Sequence, residues 1–465
     1  MSAPIIWILI PFITSTGLIL LRNHRKTAYL SSIVLNISMV LLAIILPVDK
    51  VVRTGGVDYK IASTFGLFGR ELIIQSQEQV IVALVYAVAA FWLIGAFTTS
   101  RSSLFPAVAP AIAALIVASI AVQPFLYAAI LLELVAILAL ALFFELPGSS
   151  NTGVLRFITF QTIGMVFLLF CGWLLSGIDT APSDMVAMSR VLLILGLGFG
   201  FFLALFPFYS WVPMMAEQED TFLAGYVILV MQTGILILGM QFLESYAWLR
   251  NSNELQRGLL ISGSVMVVTG GIWSAFQKDL GRIYGYALIM ENGFSVISLG
   301  LITSGGSLLL TGMIIPRILA FGIWGLSLAN YQGHHNSLHV DNLHGVGKTS
   351  VIFLLGLLVA QFSVGGLPLL AGFPQRLALL QALTVSAPLA GWAILVGSGG
   401  FWIAAWMSLS TLVRSEEKWG RFLSGNLRVD ILVIFGVVLI VILGLFPAID
   451  TKFASNILLP FIHLQ

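Results

Sequence analysis

The 465-residue sequence is 59% hydrophobic and only 9% charged, whereas an ordinary soluble domain carries about 25% charged residues. These proportions exclude an ordinary soluble protein and predict a chain that lies within a lipid bilayer. The formal net charge is +2, without a basic tail or an acidic tract, so no nucleic-acid partner is indicated. The single cysteine, Cys171, excludes an intrachain disulfide.

The apolar residues occur in blocks of about 18 to 24, the length of an α-helix that crosses roughly 30 Å of hydrocarbon. A transmembrane β-barrel would alternate apolar and polar residues instead. The sequence therefore predicts an all-α polytopic membrane protein. Its fourteen predicted spans are residues 4–22, 28–46, 78–97, 104–121, 124–145, 154–177, 187–211, 222–243, 258–275, 283–302, 306–329, 350–385, 389–413 and 428–449. We interpret the first as a retained span, because basic residues follow it and none precedes it.

The connections between spans are short except for residues 47–77, whose seven charged residues predict a solvent-exposed loop. Twelve of the 22 Lys and Arg residues fall in odd-numbered connections, and eight fall on the opposite side. By the positive-inside rule, the odd connections should face the cytoplasm. An even number of spans places both termini on one side, so we expect both termini outside an inner (cytoplasmic) membrane.

Two spans are interrupted in a similar way and stand five spans apart. The seventh contains Pro207, and the twelfth contains Pro368 and Pro374 within GGLPLLAGFPQR. Proline removes a helical N–H, so each interruption leaves backbone groups at membrane depth that only protein or water can satisfy. A matched pair of broken helices indicates a transporter repeat. The expected division is residues 1–103 (helices 1–3), 104–243 and 258–413 (two inverted five-helix repeats), and 428–465 (the last helix and tail).

Four ionisable residues lie well inside the predicted spans. The basic ones are Arg317 and Arg376, and the acidic ones are Glu133 and Glu291. A charge at the bilayer centre costs about 2.5 to 3.5 kcal/mol on insertion scales, so such residues usually face the protein interior and often form ion pathways. Each glutamate is either a proton-exchanging group or a structural carboxyl satisfied by a neighbouring helix. Each arginine either holds a carboxylate ionised and switches partners or forms a fixed ion pair.

Four stretches of sequence resemble, in this order, a known family. They are LLELVAILALAL around Glu133, PFYSWVP at 207–213, QKDLGRIYGYALIMENG at 277–293, and GGLPLLAGFPQR at 365–376. The family comprises the antiporter-like, proton-conducting membrane subunits of respiratory complex I, of membrane-bound hydrogenases of the formate hydrogenlyase type, and of multisubunit sodium/proton antiporters. The MENG stretch is closer to the hydrogenase-type branch. The resemblance covers nearly the full chain and implies fourteen helices with two inverted five-helix repeats.

In that family a glutamate on the fifth helix and a chain of lysines conduct protons, and Glu133 matches the glutamate. The lysine positions are occupied by other residues: Phe202, Gln232, Arg317 and Arg376. Phenylalanine cannot carry a proton and glutamine can only form hydrogen bonds. The resemblance therefore implies a proton pathway of four residues: Glu133, Glu291, Arg317 and Arg376.

The resemblance implies a membrane subunit of an energy-converting oxidoreductase complex that takes part in proton translocation. Its expected partners are other membrane subunits and a peripheral redox arm of the same complex. One alternative is a non-conducting structural subunit, favoured by Phe202 and Gln232, and another is a cation/proton antiporter subunit, favoured only by family membership. No Fe–S, haem or nucleotide signature occurs, so no cofactor is expected and the chain should not catalyse electron transfer by itself.

A histidine-rich connection follows the eleventh predicted span. It contains His334, His335, His339, Asp341 and His344. Such residues could bind a metal, but there is no cysteine and no regular helical spacing. We therefore predict a polar loop or a contact with another subunit, and no metal site.

A short acidic run follows the seventh predicted span. It consists of Glu217, Glu219 and Asp220. We expect it to face the cytosol at the end of a helix, where carboxylates are commonly found.

Overall fold

The computed structural model describes residues 2–54, 57–67, 69–99, 102–145, 152–180, 185–332, 338–345, 347, 350–414 and 426–465. Most of these residues are helical. The helices are α1 (Ile10–Leu20), α2 (Arg25–Ile45), α3 (Gln79–Thr99), α4 (Phe105–Ala121), α5 (Ala128–Phe143), α6 (Thr152–Thr180), α7 (Met185–Phe202), α8 (Trp211–Gln218), α9 (Thr221–Ser245), α10 (Ala247–Arg250), α11 (Asn253–Ala275), α12 (Leu280–Gly300), α13 (Gly306–Gly312), α14 (Ile314–Gln332), α15 (Val351–Gly365), α16 (Gly372–Ser386), α17 (Pro388–Val413), α18 (Leu427–Leu445) and α19 (Pro447–Ile457). A π-helical stretch, Ile5–Leu9, leads directly into α1.

The length and composition of these helices suit a membrane. Within the described ranges, nine helical segments are long and apolar enough to cross a bilayer, and four further apolar helices are shorter. The molecule is therefore a polytopic helical membrane protein. The total of fourteen spans remains a prediction, because α12, with Arg282 and Glu291, is less apolar than the nine and the shorter helices do not reach their length.

The predicted loop at residues 47–77 contains β-structure that the sequence analysis did not anticipate. The strands are β1 (Val51–Thr54), β2 (Val57–Lys60), β3 (Thr64–Leu67), β4 (Arg70–Ile73) and β5 (Val122–Gln123). β1 pairs with β2, and β4 pairs with both β3 and β5, always antiparallel. The partner strand β5 follows α4, about fifty residues further along the chain, so local sequence could not reveal the pairing that satisfies these backbone groups.

The ends of several helices meet at the side of the molecule that carries both chain termini, here named the terminal face. Near the end of α9, Gln241 Nε2 donates to the carbonyl of Ile120 at the end of α4 (2.8 Å). One turn later, the Glu244 carboxylate accepts from the backbone N–H of His463 in the C-terminal tail (3.0 Å). The β-sheet of β3, β4 and β5 lies on the same side, and the Ala3 N–H donates to the Ala62 carbonyl beside it (2.8 Å).

The remaining connections meet at the opposite face. The Glu145 carboxylate, after α5, accepts from Ser102 Oγ (2.6 Å) and from the backbone N–H of Ser103 (2.9 Å) at the start of α4. Val340, after α14, donates its N–H to the Lys278 carbonyl before α12 (2.8 Å). In the numbering of the predicted spans, the even-numbered connections thus contact each other at the terminal face, and the odd-numbered connections contact each other at the opposite face. This arrangement is expected when successive spans cross a membrane in alternate directions.

Helix α9 lies at the centre of the bundle. Every residue from Thr221 to Leu238 is buried. Trp92 on α3 donates from Nε1 to the Phe222 carbonyl (2.8 Å), and the Tyr226 hydroxyl donates to the Ala109 carbonyl on α4 (2.8 Å). Polar aromatic atoms inside a bilayer need such partners because no bulk water reaches them.

Close approach between α11 and α17 depends on glycine. A Cβ atom on Gly271 would lie 1.9 Å from the carbonyl oxygen of Gly397. Small residues at helix crossings allow backbones to approach in membranes, where lipid provides little hydrophobic drive for helix association. Any side chain at Gly271 would therefore push these two helices apart.

The first broken helix is the pair α7 and α8. Helix α7 ends at Phe202, and a 3-10 turn at Phe208–Ser210 leads into α8. Between them, Ala204 adopts a left-handed backbone with φ of 53°. The Leu205 N–H donates to the Gly200 carbonyl (2.8 Å). This bond satisfies two of the backbone groups that the break leaves without a regular helical partner.

The second broken helix is the pair α15 and α16. Helix α15 ends at Gly365, and Gly366 has a φ of 76°, a conformation that glycine adopts without steric cost. Pro368 lies in the break, whereas Pro374 lies in the first turn of α16, where no helical N–H bond is required. Pro374 therefore belongs to the start of the second half rather than to the interruption itself.

Candidate functional site

Two neighbouring side chains of α12 reach both broken helices. The Glu291 carboxylate forms an ion pair with Arg376 in the first turns of α16. Asn292 Nδ2 donates to the carbonyl of Leu203, the residue after α7. Glu291 is 7% exposed and Asn292 is fully buried. A single dipeptide thus joins two interruptions that lie far apart in the sequence.

Arg317 on α14 adds a second positive charge to this cluster. Its Nη1 donates to Ser295 Oγ (3.0 Å), one turn along α12 from Glu291. Within the described part of the chain, Nε and Nη2 of Arg317 and Nη1 of Arg376 have no hydrogen-bond partner. A buried guanidinium N–H that lacks a partner is costly. These atoms therefore require another polar species in the space between them.

A cavity occupies that space. It is small, with room for about one water molecule, and is lined by residues that include Glu291, Arg317, Gln375 and Arg376. Phe294 forms part of its apolar wall, and the Arg376 guanidinium carbon stands 4.5 Å from the centre of that ring. One carboxylate and two guanidinium groups give the cluster a formal charge of +1. A polar cavity with unpaired donors is the kind of internal space that retains water.

Asp450 on α19 extends the cluster towards the terminal face, and the sequence analysis missed it. Its Oδ2 accepts from Gln375 Nε2 (2.8 Å), and Gln375 lines the cavity and precedes Arg376. Burial raises the pKa of Asp450 to about 6, against a smaller lowering by the Gln375 hydrogen bond. A signal was available: Asp450 shares helical spacing with Ala454 and Ile457, so it lies on the inward face of an amphipathic helix.

Glu133 is not part of this cluster. On α5 its Oε1 accepts from the Thr162 hydroxyl of α6 (2.6 Å), while Oε2 is buried and has no partner within the described part of the chain. Its neighbours Ile130 and Leu134 are each 41% exposed. Glu133 therefore lies near the outer surface of the bundle, where lipid or another subunit would cover these apolar side chains.

Two of the expected lysine positions hold uncharged residues, Phe202 and Gln232, and both side chains are buried. Phe202, at the end of α7, is 1% exposed and packs near Gly164 of α6. Gln232, at the middle of α9, is buried, and neither its Nε2 nor its Oε1 has a partner among the residues described. Buried amides are nearly always hydrogen-bonded, so the Gln232 side chain is an exception to this rule among the residues described.

The acidic run of Glu217, Glu219 and Asp220 lies at the end of α8. We expected it to face the cytosol, and this expectation was wrong for Glu219, which is buried. Glu217 pairs with Arg282 (2.8 Å), and Asp220 caps α9 by accepting from the Phe222 N–H (3.0 Å). Glu219 is 4% exposed, and neither carboxylate oxygen has a partner in the described ranges. Burial, together with repulsion from Asp220, raises the pKa of Glu219 to about 7.

Part of the histidine-rich connection lies outside the described residues, namely His334 and His335. His339 pairs through its backbone with Asp279 at the start of α12. Among the residues that are described, no group of three or more His, Cys, Asp or Glu side chains could hold a metal ion.

Residues 173–401 match the profile of a family described as NADH:quinone oxidoreductase/Mrp antiporter, transmembrane. This range contains both broken helices together with Glu291, Arg317 and Arg376, whereas Glu133 precedes it. The matched part of the chain, residues 173–401, belongs to this antiporter-like family. The NADH-quinone oxidoreductase subunit N of Chlorobium chlorochromatii is 24% identical to this chain over 295 residues, which are 57% of this chain and 56% of that protein, so the chain spans just over half the length of this relative.

Two further comparisons extend over nearly the whole chain. Subunit N of the NADH-quinone oxidoreductase of Acinetobacter baumannii is 22% identical over 468 residues, covering 94% of this chain and 92% of that protein. A chain of the membrane-bound sulfane sulfur reductase, an archaeal respiratory membrane complex, superimposes with a TM-score of 0.81 at 15% identity, covering 98% of this chain and 97% of that one. At that identity the structural likeness establishes the fold.

Proposed function

We propose that this antiporter-like subunit translocates protons within an energy-converting oxidoreductase complex, complex I-like or hydrogenase-like. The observation that carries the proposal is the buried Glu291–Arg376 pair, which shares a polar cavity with Arg317 beside a broken helix. Ionisable residues inside a membrane are costly and typically line ion pathways. The relatives named as NADH-quinone oxidoreductase subunits N support the type of complex.

The proposed pathway comprises Glu133, Glu291, Arg317 and Arg376. In it, Glu291 is the group that gains and loses a proton, because guanidinium groups stay protonated. Protonation of Glu291 would cancel its charge and weaken its attraction to Arg376; loss of that proton to cavity water would restore the pair. The arginines thus place positive charge beside the Glu291 carboxylate and do not carry the proton.

We further propose residues 104–243 and 258–413 as the two inverted repeats. The equivalent positions of the two breaks, in the seventh and twelfth predicted spans, support this division. The subunit would lie in the inner (cytoplasmic) membrane with the terminal face outward, because more Lys and Arg residues fall in the odd connections. Other membrane subunits and a peripheral redox arm would be its partners and would hold the redox centres.

Replacement of Glu291 and Glu133, one at a time, by glutamine tests the proposed function. The complex containing each variant would be purified and reconstituted into vesicles, and protons moved per electron transferred would be measured. We expect Glu291→Gln to lower this ratio, because an amide cannot exchange a proton. Glu254→Gln, an exposed carboxyl near the start of α11, is the matched control and should leave the ratio unchanged. Unchanged pumping by both pathway variants, with intact assembly, would contradict the proposal.

A non-conducting structural subunit is the competing function, and Phe202 is the observation that favours it. A phenylalanine packed tightly at that position cannot take part in a proton chain. This function predicts that both glutamine variants pump normally. The third function, a cation/proton antiporter subunit, is distinguished from the other two by measuring pH in vesicles. It alone predicts a pH change that depends on sodium.

A further inference from the structure

We propose that Asp450 exchanges protons between the Glu291–Arg376 cavity and the aqueous phase at the terminal face. This inference rests on the proposed function and adds a residue to its pathway. Asp450 comes from the C-terminal helix α19, outside the two expected repeats.

The first step of the argument is the contact between Asp450 and the wall of the cavity. Gln375 lines the cavity, lies next to Arg376 in the chain, and donates from Nε2 to Asp450 Oδ2 (2.8 Å). Gly312 on α13 makes room for it, because a Cβ there would stand 2.7 Å from the Gln375 side chain. Asp450 is 4% exposed, so this amide is its principal polar neighbour.

The second step is charge. Glu291, Arg317 and Arg376 give the cavity a formal charge of +1, and an ionised Asp450 beside it brings the total to zero. The elements packed around Asp450 supply little else. Helix α13 has no titratable residue. The charged residues of α18 lie in its first turn, at the far end from Asp450. Near α3, the acidic residue is Glu78, which lies just before the start of that helix. Lys452, on α19 itself, is exposed.

The third step is access to water. Helix α19 is amphipathic: Asp450 and Ala454 face the protein, whereas Thr451, Lys452 and Ser455 are exposed at the terminal face. Exposed polar side chains on the same helix therefore lie within two residues of Asp450 in the chain.

The C-terminal tail holds α19 in this position. Beyond the helix, the Leu464 carbonyl accepts from the Ser307 hydroxyl of α13, and the His463 N–H donates to the Glu244 carboxylate of α9. These contacts keep Asp450 against Gln375 without involving the cavity.

The exchange itself makes and breaks only O–H bonds. A cavity water that has received the proton of Glu291 transfers it to a carboxylate oxygen of Asp450, and the neutral acid then releases it to bulk water. The Gln375 N–H stabilises the ionised form, which is the form ready to accept the next proton.

The test replaces Asp450 by asparagine and, separately, by glutamate in the complete complex. Proton translocation into vesicles would be measured while the pH on the terminal side is varied from 5 to 8. Asparagine keeps an acceptor for Gln375 but cannot be protonated, so we expect the rate to fall at least about tenfold. Glutamate should restore most of the rate. Lys452→Gln, on the same helix, is the control.

The pH profile separates a proton-exchanging role from a structural one. In the unsubstituted complex the rate should fall as the terminal-side pH drops below about 6, the pKa of Asp450, because the acid then stays protonated. Asp450→Asn should be slow and independent of pH in this range. If Glu291→Gln abolishes pumping while Asp450→Asn keeps the unsubstituted rate and pH profile, this inference is overturned and the proposed function stands. If both Glu291→Gln and Glu133→Gln pump normally, the proposed function itself fails.

Discussion

At the scale of single residues, the balance of charge around Glu291 decides what the cavity can do. One carboxylate faces two arginines, and three guanidinium nitrogens lack partners within the described chain. A buried ion pair of this kind is seldom a net gain in stability, because desolvation offsets the attraction between the charges. Its retention in a costly position is more readily explained by a role in ion movement than by a role in folding.

Glu219 provides a prediction for stability against pH. Its pKa is about 7 in the folded protein and 4.5 in an unfolded chain, so the folded state binds the proton more tightly. This contribution is fully present below pH 4.5 and is lost as the pH rises through 7, at a cost on the order of 3 kcal/mol. Glu219→Gln should therefore raise the thermal unfolding temperature at pH 8.

Thermal unfolding in detergent at pH 3 supplies the internal control, because Glu219 is then largely protonated in both states and the variant should match the unsubstituted protein. An equal effect of Glu219→Gln at both pH values would show that ionisation of Glu219 is not the cause.

At the scale of elements, the two broken helices are joined by one dipeptide of α12. Glu291 contacts the start of α16, and Asn292 contacts the backbone carbonyl that follows α7. The positions of the breaks were predictable, because proline and glycine in an apolar span leave helical hydrogen bonds unmade. The joining residues were not, since nothing local in MENG indicates which distant carbonyl its asparagine meets.

The link through Asn292 should stabilise the first break. Asn292→Leu removes the donor and leaves the buried Leu203 carbonyl without that partner, which should cost about 1 to 3 kcal/mol. We expect faster amide hydrogen exchange at residues 203–210 in the variant. Ser298→Ala is the control on the same helix, because its hydroxyl bonds only to the Phe294 carbonyl of its own turn (2.9 Å). Exchange that is unchanged relative to this control would show that Asn292 does not hold the break.

At the scale of the whole molecule, the contacts between connections define two faces. Odd connections meet at one and even connections at the other, and a bilayer must lie between them. Which face is outward depends on the distribution of Lys and Arg, which is a property of the sequence.

Single-cysteine labelling tests this orientation. In a Cys171→Ala background, Lys452→Cys at the terminal face should react with a membrane-impermeant thiol reagent added outside intact cells, and Arg156→Cys should not. Both should react after the membrane is opened. The unsubstituted protein, whose native Cys171 is buried, should not react in either case. The reverse pattern would place the terminal face in the cytoplasm.

The sequence by itself determined that the chain lies in a membrane, that two of its spans are broken, and which few charges remain inside them. These properties follow from composition and local periodicity, because every apolar span must satisfy its backbone within itself. Only the tertiary structure decided which of those charges act together. It joined Glu291 to Arg376, Asn292 to the first break and Asp450 to Gln375, left Glu133 apart, and buried Glu219. Such pairings depend on contacts between helices far apart in the chain, and no local pattern in the sequence records them.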